Sequence, residues 1–173
     1  MNIQRLPSGD VNLHLDELVN LLQDSVLNGA SIGFLLPISH EDAVNYWREV
    51  TSALQTSYRI MLAAKAEERI VGSIQLDLAS RPNGSHRAEV IKLMVHSSWR
   101  NQGIGQALLK AIEQEAQKAG RTTLVLDTRE GDPSERLYLK TGYIRAGIIP
   151  EYARSTDGAL HTTVFMYKLL QAP

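Results

Sequence analysis

The chain has 173 residues, a formal net charge of −1 at pH 7 and no cysteine. This length suits one domain with a sizeable core and is short for two, so we expect a single domain over residues 1–173. The lack of cysteine excludes disulfides, thiolate nucleophiles and cysteine metal sites, and the balanced charge disfavours a generally basic nucleic-acid-binding surface.

A short strand and two amphipathic helices are predicted at the start of the chain. The strand covers residues 3–6. The first helix covers residues 12–28, and Asn28-Gly29 ends it. Its apolar side chains have helical spacing: Leu15, Leu18, Val19, Leu22 and Val26. The second helix covers residues 40–55, and Ser39 just before it and Asp42 in its first turn have the spacing of a capping box.

Three strands are predicted after the second helix. Residues 58–66 and 69–79 are rich in apolar and β-branched side chains, and Glu67-Glu68 forms the turn between them. The loop that follows contains the hairpin signal Asn83-Gly84. Residues 88–95 form the third strand, which is mostly apolar.

Helices and strands alternate in the remainder of the chain. We predict a helix at 103–119, a strand at 122–128, a short helix from Pro133 to just before Gly142, and strands at 143–150 and 162–170. In the short helix, Asp132 is expected to cap the N-terminus and Glu135 to complete a capping box. This order of elements predicts an α+β domain, with a mixed sheet and helices on both faces.

The stretch WRNQGIGQALL, residues 99–109, joins the third strand to the long helix. Arg100, Gly103 and Gly105 place a positive charge and bare backbone beside a helix N-terminus, where N–H groups lack intrahelical partners. Such a turn favours a phosphate or pyrophosphate group. The Lys-Ser/Thr of a P-loop and the third glycine of a dinucleotide-binding fingerprint are both missing. On these residues alone, a phosphate cradle and an ordinary tight turn both remain open.

The surroundings of this turn resemble the GNAT family of N-acetyltransferases. EVIKLMVHSSWRNQGIGQALLKAIEQEAQKAG resembles the family's acetyl-CoA-binding core, with its pattern Gln/Arg-x-x-Gly-x-Gly/Ala. The later LYLKTGY, residues 137–143, resembles a second recurring element of the family. Asn101 and Gln102 depart from the family, where glycine and a basic residue are common, but asparagine tolerates left-handed backbone.

The resemblance implies a fold, a co-substrate and a set of contacts. The fold is a single GNAT domain with a largely antiparallel seven-stranded sheet flanked by helices, and the co-substrate is acetyl-CoA, with no metal. A bulge in the strand would free backbone amides for the thioester carbonyl and the pantetheine arm. The residues implied for acetyl-CoA are Leu93, Met94, Val95, Arg100, Asn101, Gln102, Gly103, Ile104, Gly105 and Gln106.

Acetyl transfer requires a deprotonated amine, and Glu89 and Asp127 are the candidate bases. Glu89 begins an apolar strand and Asp127 ends one, so both could equally be strand caps. Several stretches of the chain resemble family members that inactivate small amino-acid toxins, and this resemblance favours a role in proton removal. Whether one carboxylate acts, both act or a water relays the proton stays open. Since cysteine is absent, direct attack by the amine is the simpler path.

Tyr138 is the candidate general acid for the departing thiolate. The pattern Tyr-x-Lys-x-Gly-Tyr, residues 138–143, is the family feature that favours this role, and the alternative is a tyrosine that packs in the core. We expect Lys92 to be exposed on the opposite face of its strand, without a functional role.

The chain gives no sign of a membrane, of export or of a metal. Residues 1–10 lack the apolar core of a signal peptide, and no apolar run reaches transmembrane length, so we expect a cytoplasmic protein that does not bind a membrane. The histidines lack the spacing of metal ligands.

These observations together predict an N-acetyltransferase that moves an acetyl group from acetyl-CoA to a small amine. An amino-acid-like toxin or an antibiotic is the acceptor class that the resemblance suggests, and a homodimer is left open. Two alternatives stand: a transferase for protein or peptide amines, and a non-catalytic acyl-CoA sensor. The sensor is disfavoured because it would need no proton-transfer groups such as Glu89, Asp127 and Tyr138.

Overall fold

The structure, a computed structural model, describes residues 1–171. The strands are β1 Asn2–Arg5, β2 Arg59–Ala66, β3 Arg69–Leu78, β4 Arg87–Val95, β5 Thr123–Arg129, β6 Ile144–Arg154 and β7 Leu160–Leu169. The helices are α1 Ser8–Val11, α2 Leu15–Leu27, α3 His40–Leu54, α4 Ile104–Lys118 and α5 Pro133–Lys140.

Within residues 1–171 the strands form one seven-stranded sheet in the order β1-β2-β3-β4-β5-β7-β6. Every neighbouring pair is antiparallel except β4 and β5, which are parallel. This mixed, mostly antiparallel sheet with helices on both faces confirms the predicted α+β fold.

The parallel pair separates soon after it forms. Its register runs only from Arg87 opposite Thr123 to Glu89 opposite Val125, although both strands continue beyond that point. The other edge of β4 is bulged: Ser73 pairs with Met94 but Gln75 pairs with Ile91, so β4 holds one extra residue there. The two strands therefore diverge and leave a gap in the middle of the sheet.

Each face of the sheet carries its own hydrophobic core. On one face, α4 and α5 bury the cluster that contains Leu108, Leu126 and Tyr138. On the other face, α1, α2 and α3 bury a cluster around Trp47, whose side chain is fully inaccessible. Helices α2 and α3 lie over β2, β3 and β4, so the same face of β5, β7 and β6 stays more open.

The predicted bounds of α3 agree with the structure, whereas the start of α2 and the end of β6 differ from the prediction. The capping box of Ser39 and Asp42 forms as predicted. Residues 12–14 form a 3₁₀ turn instead of the first turn of α2. β6 continues past Pro150 to Arg154, which an edge strand tolerates because the missing N–H faces no partner strand.

The predicted capping box of α5 is wrong. Asp132 occupies the N-cap position, but its side chain makes no capping hydrogen bond. Its carboxylate accepts a hydrogen bond from Arg129 Nε at 2.9 Å. Glu135 instead accepts from the backbone N–H of Gly131 at 2.7 Å. The nearby guanidinium of Arg129 competes for the carboxylate that would otherwise cap the helix.

Candidate active site

The turn between β4 and α4 leaves the start of a helix open. Asn101 and Gly103 have left-handed backbone, with φ of 61° and 80°, and α4 begins at Ile104 directly after them. Asn101 adopts this conformation as expected for asparagine. No side chain caps α4 at Gly103, so the first-turn N–H groups at Ile104, Gly105 and Gln106 are free of intrahelical partners in the described chain. Gln102 is exposed beside them.

The two glycines of this turn serve different purposes. A Cβ placed on Gly103 would meet no described atom within 4 Å, so the space in front of the helix is open there. A Cβ on Gly105 would lie 3.1 Å from Leu137 Cδ2, a side chain of α5. Gly103 therefore supplies the left-handed turn and access to the helix N-terminus, whereas Gly105 allows α5 to pack closely on α4.

Arg100 folds back on the strand that precedes it. Its Nε donates to the carbonyl oxygen of Val95 at 3.1 Å, and the side chain stays exposed beside the open helix end. Leu93 and Val95 pack against the core under α4, while Met94 is buried in the core of the opposite face. Met94 can therefore offer a ligand only its backbone.

The gap between β4 and β5 exposes backbone in the sheet interior. Beyond Glu89, β4 has no strand pair on its β5 side among residues 1–171. An unpaired strand edge can hydrogen-bond an extended ligand as though it were another strand. This edge runs along Val90–Val95 toward the start of α4, so edge and helix end form one continuous binding surface for an elongated molecule with a phosphate group.

Glu89 and Asp127 lie on one face of the sheet, on the two strands that flank the gap. Ala88 and Val90 point into the core under α4, as Leu126 does, so the carboxylates point to the opposite face. Both are accessible to solvent on one side and crowded by protein on the other. This partial desolvation raises the pKa of both carboxyls, and the charge of Asp127 raises the pKa of Glu89 further.

Tyr138 lies on the other face of the gap. Its ring is buried under α5, with the ring of Tyr143 5.7 Å away between centroids. Burial first, and then the charge of Asp127, raise the pKa of the Tyr138 hydroxyl well above its ordinary value, so the hydroxyl keeps its proton. The candidate bases and the candidate acid thus approach the gap from opposite faces of the sheet.

Lys92 contradicts the expectation of exposure on the opposite face. It is half-buried, and its Nζ donates to the carbonyl oxygen of Ile32 at 2.5 Å. It is close enough to Asp127 and Glu89 for their charges to favour the charged lysine, although burial, the larger effect, lowers its pKa. Lys92 has a positive φ of 53° at the bulge, which breaks the alternation of the strand. Nothing in the sequence pattern marks this bulge.

A cavity of about 530 Å³ opens on the face that carries the carboxylates. One side is residues 29–36, part of a loop that we call the wall segment, residues 29–38. The other side is residues 153–157, at the end of β6. Arg129 lines the cavity and lies two residues after Asp127 on β5, so the two side chains share a face.

Arg129 connects the parts of the cavity. Its guanidinium donates to the Gly29 carbonyl oxygen at 3.1 Å and to Ser155 Oγ at 3.0 Å, in addition to Asp132. Thr156 Oγ1 accepts from the backbone N–H of Leu36 at 3.1 Å. These hydrogen bonds fix the wall segment against the end of β6. Sequence patterns could not reveal them, because most of them join residues 26 to 120 positions apart.

A sheet that splits at a parallel pair beside an open helix N-terminus defines an acyl-CoA-dependent transferase fold, and comparison identifies the family. The profile of the Acetyltransferase (GNAT) family matches residues 20–143. The chain is 32% identical over 130 residues to an uncharacterized N-acetyltransferase from the hisH-hisA intergenic region of Azospirillum brasilense, covering 74% of this chain and 73% of the relative. The chain belongs to the GNAT family of acetyltransferases.

Two further similarities extend this result. N-acetyltransferase 8B of Homo sapiens is 33% identical over 113 residues, which is 63% of this chain and 49% of the relative, so the chain spans about half of that protein. The structure of yncA from Salmonella typhimurium with its cofactor acetyl-CoA has a TM-score of 0.77 at 18% identity, covering 100% of this chain and 95% of the other. Family membership confirms the predicted acetyltransferase activity and acetyl-CoA as its co-substrate.

Residues 1–171 lack two further features. Within that range there is no cluster of His, Cys, Asp and Glu side chains that could hold a metal ion. Likewise, none of the helices there combines the length and the apolar character that crossing a membrane would require.

Proposed function

We propose that this acetyltransferase acetylates the primary amine of a small molecule by direct attack, with Asp127 as the main base, Glu89 as its partner and Tyr138 as the acid. The observation that carries this proposal is the cavity of about 530 Å³ on the face of the sheet that carries Asp127, lined by Arg129 two residues further along β5. A cavity of this volume is typical of small-molecule sites. The acceptor class remains amino-acid-like toxins or amine antibiotics.

Acetyl-CoA binds along the β4 edge and the start of α4. The N–H groups at Ile104, Gly105 and Gln106 and the charge of Arg100 suit the pyrophosphate. The open space in front of Gly103 allows that approach. Backbone N–H groups between Leu93 and Val95, at the bulged part of β4, are placed to donate to the thioester carbonyl oxygen as negative charge develops on it.

The amine loses one proton to a carboxylate. An ammonium group has no lone pair, so an acceptor that enters as an ammonium must be deprotonated before or during attack. A carboxyl whose pKa is raised is a better base than an ordinary one, and Asp127 and Glu89 both have raised pKa values. We assign Asp127 as the main base because it is the carboxylate nearer to the cavity along the chain: Arg129, two residues further on the same face of β5, lines the cavity.

The bonds then change in one addition and one elimination. The amine nitrogen forms a bond to the carbonyl carbon, and the bond from that carbon to sulfur breaks, so the electron pair leaves with the sulfur. The Tyr138 hydroxyl, protonated because its pKa is raised, donates its proton to the departing thiolate. The positively charged nitrogen of the adduct gives its second proton to the other carboxylate, and the tyrosinate left at Tyr138 regains a proton from solvent. The products are the acetamide and CoA with a free thiol.

Hydrogen bonds across the cavity support a small acceptor over a protein. A peptide needs an open groove, whereas the wall segment is hydrogen-bonded across the cavity to Arg129 and Thr156. The sensor alternative is opposed by the buried tyrosine and the two desolvated carboxylates, since a protein that only binds acyl-CoA needs none of them.

The deciding experiment is an acceptor screen. Wild-type protein is incubated with acetyl-CoA and matched panels of free amino acids, amine antibiotics and N-terminal peptides, and release of the CoA thiol is measured. Turnover confined to small amines supports the proposal, and faster turnover of peptides contradicts it. Binding of acetyl-CoA without turnover on any panel favours the sensor.

The expectations of a homodimer and of a cytoplasmic location stay predictions, which light scattering and cell fractionation would test.

A further inference from the structure

The wall segment is fastened to the sheet by a lysine in an uncommon conformation. Lys92 occupies the bulge of β4 with a φ of 53°, which non-glycine residues seldom adopt. This turn of the backbone sends its side chain to the wall segment, where Nζ donates to the Ile32 carbonyl oxygen and lies 5.7 Å from the centre of the Phe34 ring. A Cβ on Gly33 would lie only 3.2 Å from Nζ, so the segment is shaped around the lysine.

The same lysine lies among the charges of the proposed active site. Asp127 of β5 and Glu89 of β4 attract its charge, and Arg59 of β2 repels it. The pKa of Asp127 is lowered by the charge of Lys92. The pKa of Glu89 is raised by the charges of Asp127 and Asp77 of β3 and lowered by those of Arg87 and Lys92. Asp127 also shares its strand face with Arg129 and acts on the Tyr138 hydroxyl of α5 across the gap. Lys92 is thus a cation that touches the wall segment and is near both carboxylates.

We propose that Lys92 is a positioning residue for the acceptor: it holds the wall segment on the sheet and supplies positive charge beside Asp127, so that the amine meets a carboxylate ion at a fixed distance. This inference rests on the proposed function and adds a residue that does not exchange protons or bonds itself. An unusual backbone conformation maintained by its surroundings is typical of functional sites. A hydrogen bond to a charged donor is also stronger than a neutral one.

Two consequences separate this role from simple packing. Loss of the Nζ group should loosen residues 29–38, which form one side of the cavity. It should also remove the positive charge that lowers the pKa of Asp127. The acid limb of the pH profile, where activity is lost as Asp127 becomes protonated, should therefore move to higher pH. A lysine that only packed in the fold would change stability without moving either the wall segment or the pH profile.

The test compares Lys92→Met with Lys92→Arg and with a matched control, Lys65→Met. Lys65 is half-buried like Lys92 and donates to His14 at 3.0 Å, but it lies on β2 away from the carboxylates. Hydrogen exchange of residues 29–38 is measured on the protein without acetyl-CoA. Steady-state rates with the best acceptor are measured across pH, and the thermal shift with acetyl-CoA shows whether each variant still binds the co-substrate.

For Lys92→Met we expect faster exchange in the wall segment, a rise of about tenfold in acceptor KM, as the loss of one charge-assisted hydrogen bond predicts, and an acid limb of the pH profile shifted to higher pH. The acetyl-CoA thermal shift should be unchanged. Lys92→Arg should restore the position of the acid limb because it keeps the charge, and Lys65→Met should leave exchange, KM and the limb as in wild type.

Unchanged exchange in Lys92→Met overturns the fastening role, and unchanged KM and pH profile overturn the effect on the acceptor. An equal response in Lys65→Met overturns both, because it would show a general loosening of the sheet. If wild type transfers no acetyl group to any amine, the proposed function fails and the positioning role fails with it. The exchange data would still decide separately whether Lys92 holds the wall segment.

Discussion

Substitutions at Gly103 and Gly105 should impair different properties, acetyl-CoA binding and turnover, although the glycines are two residues apart. Gly103→Val places a branched side chain in the open space before α4, at a residue with φ of 80°. The left-handed conformation costs an L-residue about 1–2 kcal/mol, which for a domain of this size lowers the melting temperature by roughly 2–8 °C. The new side chain should also block the approach of a pyrophosphate to the helix N–H groups.

Binding can be separated from stability with a ligand-induced shift. At a concentration of about 100 times its Kd, acetyl-CoA should stabilise wild type by ~2.7 kcal/mol, and a hundredfold weaker affinity would leave only about 0.4 kcal/mol. Gly103→Val should therefore lose most of its thermal shift. The shift is read by differential scanning fluorimetry against each variant's own unliganded melting temperature, so a loss of stability does not imitate a loss of binding.

Gly105→Ala is the matched variant. Its Cβ would lie 3.1 Å from Leu137 Cδ2, so α5 must move by a few tenths of an ångström, and such overpacking typically costs about 1–3 kcal/mol. The acetyl-CoA shift should stay near that of wild type, while turnover falls because α5 carries Tyr138. A folded Gly103→Val protein that keeps the full shift would refute the assignment of the helix N-terminus as the acetyl-CoA site.

Four other outcomes follow from the site. Asp127→Asn and Glu89→Gln should each lower kcat by ~10²- to 10⁴-fold with acetyl-CoA binding preserved; near-normal rates in the double variant would exclude a carboxylate base. Because the pKa of Asp127 is raised on folding, the native state binds more protons and this group's contribution to stability falls as pH rises. Asp127→Asn should therefore melt higher than wild type at pH 7, with the difference vanishing below pH 3.8, the ordinary pKa of aspartate; a lower melting temperature at pH 7 would contradict this. Tyr138→Phe should lower kcat by ~10²-fold at a stability cost of about 0.5–1.5 kcal/mol, and thioesters of more acidic thiols should partly rescue it; equal defects with both thiols would mean that the hydroxyl only positions the substrate. Arg129→Met should raise acceptor KM without changing acetyl-CoA binding, since Arg129 holds both sides of the cavity; an unchanged KM would show that the cavity is not the acceptor site.

The features that the sequence predicted well depend on nearby residues. The capping box of Ser39 and Asp42, and the left-handed backbone at Asn101, each involve residues within one helical turn. The resemblance to the GNAT family then implied a largely antiparallel sheet of seven strands, which periodicity alone could not give, but not the order of its strands. Strand periodicity predicts which residues share a face, but it does not predict which strands are neighbours.

The features that were missed depend on residues far apart in the sequence. Asp132 fails to cap α5 because Arg129, whose own position is set by Gly29 and Ser155, takes its carboxylate. Lys92 was assigned to the wrong face because a bulge adds one residue to β4, and a shift of one residue reverses every later side chain in a strand. No local pattern encodes that insertion.

The one parallel pair within residues 1–171 explains how the proposed acid and base would act on one carbonyl group without meeting each other. If β4 and β5 stayed paired along their whole length, the sheet would be closed and Asp127 and Tyr138 would remain separated by a continuous layer of backbone. Because pairing stops at Glu89, an extended molecule can occupy the gap and present its reacting carbon to both faces. In the proposed mechanism the attacking amine comes from the side where the carboxylates lie, and the sulfur leaves toward the core side, where the tyrosine lies. Attack and departure on opposite sides of the sheet would keep the proposed base from neutralising the proposed acid.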